Sequence, residues 1–368
     1  MISSLTHRID AWITDEYRFP TGALSVFRVL YAGYILLVVG APQFRWISLQ
    51  PSFFFDPPLY SVASFTDHLP GYYFFLTLDL LVVGLLTLLL FGFRTRLVSL
   101  LLGIIMIIGF SFYHSFGKIN HDTLLMVITP LLMAFSGWGS YYSLDQSSNP
   151  STSSETYWPV VALALILGFA MFSAGFPKLI EDGSFLNGWL SLSTQAVKGY
   201  AIMYQHDDLA GNYLAPLALL YGNNIAWESL DYVAVIFEIG FLVAVVRYAW
   251  FRFFVLTAVF FHFMNGLLLS ISFVNNIALY LLFIHWPPVI AWFNKLPDQL
   301  IRFPVMIVAT AGLITAYYFY VPITLTDLLR VVGLDDLSAS LLVMGLACGF
   351  FGLNFLGSLL RRRTVVKT

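Results

Sequence analysis

Charge is what this chain has least of. Of its 368 residues only 10% are Asp, Glu, Lys or Arg, where a soluble domain carries roughly 25%. Such a chain cannot clothe a globular surface in water-binding groups, so water-soluble readings are excluded. The net charge of −2 leaves no basic footprint, which excludes nucleic acid as a partner. Cysteine is nearly missing as well. Cys348 stands alone, so neither an intramolecular disulfide nor a cysteine metal site can form. No Gly-rich phosphate loop and no serine-hydrolase nucleophile motif is present. His114, His121, His206, His262 and His285 are scattered without His-x-x-His or Glu-x-x-His spacing, and no metal is expected.

What is there is oil. Hydrophobic residues make up 59% of the chain and aromatics 17%, with 35 Phe. A helix needs about 20 apolar residues to cross a bilayer. Ten stretches qualify, near 23–41, 72–92, 97–116, 122–142, 158–178, 230–248, 251–270, 273–293, 304–323 and 338–359. Residues 1–20 hold Arg8, Asp10, Asp15, Glu16 and Arg18, so they do not form a cleavable signal. Ile2, Leu5, Ile9, Trp12 and Ile13 recur at helical spacing and predict an interfacial helix lying on the membrane. With ten spans, twelve Lys and Arg residues fall on the N-terminal side and five on the other. The positive-inside rule then places both termini in the cytoplasm. The expectation is an all-α, multi-pass bundle of about ten transmembrane helices in the plasma (inner) membrane, forming a single membrane domain. Two long connections, 42–71 and 179–229, face the outer side.

Polar groups inside such spans are costly and mark sites. Asn120, His121 and Asp122 open the fourth span, Lys178 closes the fifth, and His262 with Asn265 sits within the seventh. All fall in the outer half of the membrane. Each has a plainer reading. Lys178 can snorkel to headgroups, His121 can be a solvated helix start, and His262 can serve a helix-packing hydrogen bond. Their grouping favours one shared cavity. Glu238, in the sixth span, could balance Lys178 or Arg28. Arg28 itself reads as a snorkelling anchor, and Asp79 as a hydrated carboxylate. A lysine without a direct carboxylate partner, in an apolar pocket, would be available as a base near neutral pH.

The same residues carry a family resemblance. The chain resembles the membrane domain of the vitamin K-dependent gamma-carboxylases and their bacterial relatives, the HTTM (horizontally transferred transmembrane) proteins. The matching motifs are Asn120-His121, Ala174-Gly175-Phe176-Pro177-Lys178-Leu179 with Gly188-Trp189, and Phe261-His262-Phe263-Met264-Asn265 with Leu269-Ser270-Ile271. Phe27-Arg28 resembles the family's opening, and the match runs over about 21–290. The resemblance implies a division into an interfacial helix at 1–20, a carboxylase-like core at 21–290, and two further spans with a basic tail at 291–368. It implies a quinone- or lipid-dependent enzyme in which Lys178 is the base and His121 assists, with Asn120, His262, Asn265, Glu238 and Arg28 lining the pocket. The cofactor it implies is a reduced quinone. Where the family carries two adjacent lysines, Pro177 precedes Lys178 here. The family's large extracytoplasmic domain has no counterpart before the last spans, so carboxylation of a protein substrate is not expected. The other reading is a non-enzymatic accessory for maturation or export of a small secreted peptide. A transporter is disfavoured, because no internal repeat or Gly/Pro-broken helix pair is evident.

Overall fold

The computed structural model describes residues 2–117, 123–144, 156–180, 225–269, 271, 273–295, 303–319, 321 and 323–365. Among these, every regular element is helical. In chain order they are α1 (Ile2–Glu16), α2 (Ala23–Tyr34), α3 (Tyr72–Phe91), α4 (Thr95–Tyr113), α5 (Leu124–Met133), α6 (Trp158–Ile180), α7 (Ile225–Ala244), α8 (Tyr248–Leu269), α9 (Ile277–Tyr280), α10 (Trp286–Phe293), α11 (Phe303–Tyr318), α12 (Leu325–Val331) and α13 (Asp336–Val365).

Five of the described helices are long and apolar enough to cross a bilayer: Tyr72–Phe91, Thr95–Phe116, Trp158–Ile180, Tyr248–Leu267 and Asp336–Leu360. At 1.5 Å per residue each reaches about 30 Å. Their outer faces are apolar too. On α6, Leu165, Phe169 and Phe176 are exposed while Leu163, Leu167 and Met171 are buried. A helix that is oily all round suits lipid on one side and protein on the other. The remaining sequence stretches take other forms. The 23–41 stretch is α2 continued by a π-helical turn, Ile35–Val39, and it ends at Gly40 with φ +91°. α5 has 10 residues and α11 has 16. α7 has 20 residues but carries Glu228, Asp231 and Glu238.

The 273–293 stretch is not one helix. A helical run over Val274–Phe283 stops, Ile284 turns extended at ψ 173°, and α10 begins at Trp286. The expectation of an unbroken eighth span is therefore corrected. Pro287 and Pro288 give the physical reason, since proline suits the first turn of a helix and cannot continue one from before.

The described chain divides into two units. The first takes Met1–Tyr17, Val161–His285 and Val332–Thr368. Here α8 packs on α7 and on α13. An aromatic seam joins α7 to α8: Phe237 lies 5.6 Å from Phe254 and 5.5 Å from Phe261, and Phe241 lies 5.4 Å from Phe251. Such pairs add about 0.5–1.5 kcal/mol each beyond area burial. The end of α1 docks on the α7–α8 turn. Trp12 Nε1 donates to the Val246 carbonyl at 3.0 Å and the Tyr17 hydroxyl to the Val245 carbonyl at 2.6 Å. These carbonyls follow the end of α7, where backbone acceptors lack helical partners. At the break between the two helices, Asn354 of α13 accepts from the His285 amide at 2.6 Å and donates to the His285 carbonyl at 2.9 Å. One side chain thus satisfies both backbone groups of an interrupted helix, which apolar surroundings require.

The second unit takes Arg18–Val160 and Trp286–Val331. α3 packs against α2, α4 and α11. Asp79 of α3 and Arg45 are wholly buried and paired, with Arg45 Nε 2.6 Å from Asp79 Oδ2. Asp79 also accepts from the Phe44 amide at 2.5 Å, and Arg45 Nη2 donates to the Tyr317 carbonyl at 3.1 Å. The expected hydrated carboxylate at Asp79 is overturned: it pins the start of the Phe44–Leu49 3-10 helix onto α3. α3 ends at Gly92, φ +70°, where the Phe93 amide reaches back to Leu88 and the Gly92 amide to Leu89. That is a Schellman termination, for which glycine is suited.

Candidate functional site

In the first unit α6 and α7 approach closely because α6 presents glycines at seven-residue spacing. A Cβ on Gly168 would lie 3.1 Å from the Leu242 Cα, and one on Gly175 would lie 2.7 Å from the Glu238 Cβ. Small residues let membrane helices meet backbone to backbone. Lys178 stands one turn beyond Gly175 on the same face, so it is delivered beside Glu238. Lys178 Nζ lies 2.7 Å from both Glu238 oxygens. The Glu238 side chain is 5% exposed and that of Lys178 is 22% exposed. Removing one partner of a buried pair costs about 3–5 kcal/mol, and Lys178's partial exposure puts this pair at the lower end.

This pairing settles one expectation against the sequence reading. A lysine without a direct carboxylate partner is not what the fold holds; Glu238 grips it with both oxygens. The suggestion that Glu238 balances Lys178 agrees with the structure. Asp231, seven residues before Glu238 and so on the same side of α7, is also buried at 1% exposure. Sequence reasoning passed it over, although the seven-residue spacing was a usable signal.

His262 lies on α8 and is buried. Its Nε2 is 2.9 Å from the Tyr280 hydroxyl of α9. Its ring stacks 4.2 Å from that of Phe273 and lies nearly parallel to that of Tyr280 at 6.0 Å. The helix-packing reading of His262 thus has a concrete partner. Asn265, a turn later, is half-buried, and its backbone carbonyl accepts from the Ile271 amide at 3.4 Å. The buried Nδ1 of His262 and Oδ1 of Asn276 have no hydrogen-bond partner among the described residues. Each such orphan costs about 1–3 kcal/mol.

Arg28 belongs to the second unit. It is fully buried, and its guanidinium donates to the backbone carbonyls of Trp138, at 3.3 Å, and Tyr142. The snorkelling anchor is therefore corrected: Arg28 closes off the carbonyls at 138–142, and Gly92 makes room for its head. Asn120 and His121 fall outside the described residues. Of the expected pocket residues, the structure brings Lys178 and Glu238 into contact, sets His262 in a second polar cluster with Tyr280, and assigns Arg28 a backbone-binding place. Among the described residues no three His, Cys, Asp or Glu side chains converge as metal ligands. Comparison with protein-family models, with curated proteins and with solved structures finds no match to this chain.

Proposed function

We propose that this is an integral membrane enzyme that takes a proton from a lipid-soluble acid, a reduced quinone in the first instance, at the Lys178–Glu238 pair. The bidentate ion pair on two apolar, glycine-packed helices is the observation that carries this reading. The resemblance to the gamma-carboxylase membrane domain supports it. The charge bias supports ten spans, cytoplasmic termini and a site in the outer half of the plasma membrane.

The pair changes how the base works. An ammonium that donates to a carboxylate has no lone pair for a further proton, so the proton is accommodated by the pair as a whole. A hydroxyl acid entering between the partners gives its proton to Glu238, and Lys178 holds the resulting anion. Net charge within the membrane stays at zero throughout, which avoids the cost of an isolated buried ion. From ordinary phenol and carboxyl values the transfer is uphill by about 8 kcal/mol in water. That lies below the roughly 17 kcal/mol barrier corresponding to about one turnover per second. Pairing of Lys178 with the anion lowers it further.

Oxygen uptake by the purified chain in phosphatidylcholine nanodiscs, supplied with a naphthohydroquinone, tests this. Wild type should exceed empty nanodiscs, and Glu238→Gln should fall by about 10²–10⁴-fold, the span of general acid–base catalysis. Wild-type rates in Glu238→Gln would remove the proposal.

A second reading, assistance in export or maturation of a secreted peptide, draws on the broken 273–293 segment and its Asn354 clasp. Interrupted helices of this kind line substrate paths in transporters.

A further inference from the structure

The second unit carries an apolar surface outside its helices. Residues 52–65 lie between α2 and α3 and include two short 3-10 turns, Ser52–Phe54 and Val62–Phe65. One side of this segment is fixed to the end of α4. The Asp56 amide donates to the Ser115 carbonyl at 2.9 Å, and the Ala63 amide to Ser111 Oγ at 2.6 Å. The Phe55 ring lies 6.1 Å from that of Phe112 and 5.9 Å from that of Phe116. The other side is bare and oily. Phe53, Leu59, Tyr60 and Phe65 run from 79% to 97% exposed. Contiguous exposed apolar groups of this kind mark protein or membrane contact. Tyr60 is the most exposed of them, and it holds φ +65°, a conformation that a bulky residue rarely adopts. The fold keeps that strained turn and leaves its ring uncovered.

Position along α4 says what meets this face. Arg94 and Arg96, where α4 begins, are exposed and mark headgroup level at that end. At 1.5 Å per residue, Ser111 stands about 24 Å and Ser115 about 30 Å beyond Thr95. The hydrocarbon of a bilayer is about 30 Å thick. The segment is therefore tied to α4 at the opposite boundary between acyl chains and headgroups, where aromatic belts occur. Its backbone suits that level. The amides of Phe54, Ser61, Ser64 and Thr66 donate to carbonyls within residues 51–66, and Pro57 and Pro58 have no amide proton to place. Exposed Asp56, Asp67 and His68 limit its depth, since an unpaired charge in hydrocarbon is costly. We propose that residues 52–65 form an in-plane membrane anchor, with Phe53, Leu59, Tyr60 and Phe65 immersed in the lipid boundary on the side where α4 ends. No Lys or Arg lies between positions 46 and 71, so zwitterionic lipid suffices.

The test uses the full chain with Cys348→Ser in phosphatidylcholine nanodiscs, carrying a nitroxide on a single cysteine, Tyr60→Cys or Phe65→Cys. Collisions are read with oxygen, which concentrates among acyl chains, and with a neutral nickel chelate, which stays in water. Ile104→Cys, on the exposed side of α4, is the hydrocarbon reference. The ratio of oxygen to nickel collisions should exceed one at both positions and stay below the ratio at Ile104→Cys, the mark of a boundary depth. A nickel excess at either position places the side chains in water and overturns the proposal. Low rates with both reagents also overturn it, since another protein chain then covers the face. Phe65→Cys decides alone should Tyr60→Cys, at its strained backbone, fail to fold.

Discussion

At the residue scale one solution recurs among the described residues: three buried basic groups are held by fixed partners. Arg45 meets Asp79, Lys178 meets Glu238, and Arg28 meets backbone carbonyls. Removal of one member leaves its partner stranded, so single and double substitutions should differ in sign of cooperation. Asp79→Ala should lower unfolding free energy in detergent by about 3–5 kcal/mol. Lys178→Met should cost about 3 kcal/mol, and adding Glu238→Met should recover most of it, because two apolar side chains of similar volume replace a buried pair with little loss. A double variant no more stable than Lys178→Met would show that the two side chains are not coupled. These partners were unevenly legible. His262, Lys178 and Glu238 stood out because a polar residue amid apolar neighbours is visible in sequence. Asp79 stood out in the same way, but its partner Arg45 did not, since it lies 34 positions away and only the folded chain brings them together.

At the element scale, close approach and capping decide the geometry. Gly175 has no room for a methyl group beside Glu238, whereas a Cβ on Gly357 of α13 would meet nothing within 4 Å. Gly175→Ala should therefore destabilise by about 1–3 kcal/mol through overpacking, while Gly357→Ala should be neutral or stabilising by up to about 1 kcal/mol. Thermal melts of the two variants give opposite signs on this account. α13 begins beside Asp335, whose carboxylate accepts from the Ser338 amide at 2.7 Å. Hydrogen bonds from the Ser338 side chain and backbone hold Asp335 below the ordinary carboxylate value. A depressed folded-state value means that the cap contributes fully above about pH 4. Its contribution fades as pH falls through the folded value, and Asp335→Asn should flatten that acid limb of a melting-temperature profile. Helix existence was readable from run length alone. The break at Ile284–His285 was not read, because hydropathy stays high across it. Pro287 and Pro288 were the available signal, and Asn354 is its distant complement.

At the scale of the whole molecule, five described helices of spanning length make this a bilayer protein, and the distribution of Lys and Arg sets an expected orientation. With Cys348 replaced by Ser, a cysteine placed at Ser148 should resist membrane-impermeant maleimide in intact cells and react after permeabilisation. Labelling in intact cells would reverse the orientation. Among the described residues each unit holds one such ion pair, Arg45–Asp79 and Lys178–Glu238. They differ in what the pair secures. The first is wholly enclosed and fastens the Phe44–Leu49 3-10 helix to α3. The second retains 22% exposure at Lys178, as the proposed site requires. The sequence exposed the apolar mass and the rare polar residues within it. Which polar residues would meet depended on glycine spacing and helix contact, which no single position reveals.

The exchanged pair Lys178→Glu with Glu238→Lys tests the central claim most directly, because it keeps attraction and reverses position. In nanodiscs, the double variant should melt near wild type, while each single variant melts lower. Its naphthohydroquinone-dependent oxygen uptake should remain at the level of Glu238→Gln, since acid and cation now sit on the wrong helices for the substrate. Recovery of both melting temperature and oxygen uptake to wild-type values would contradict the account, for it would show that a charge pair in either sense suffices.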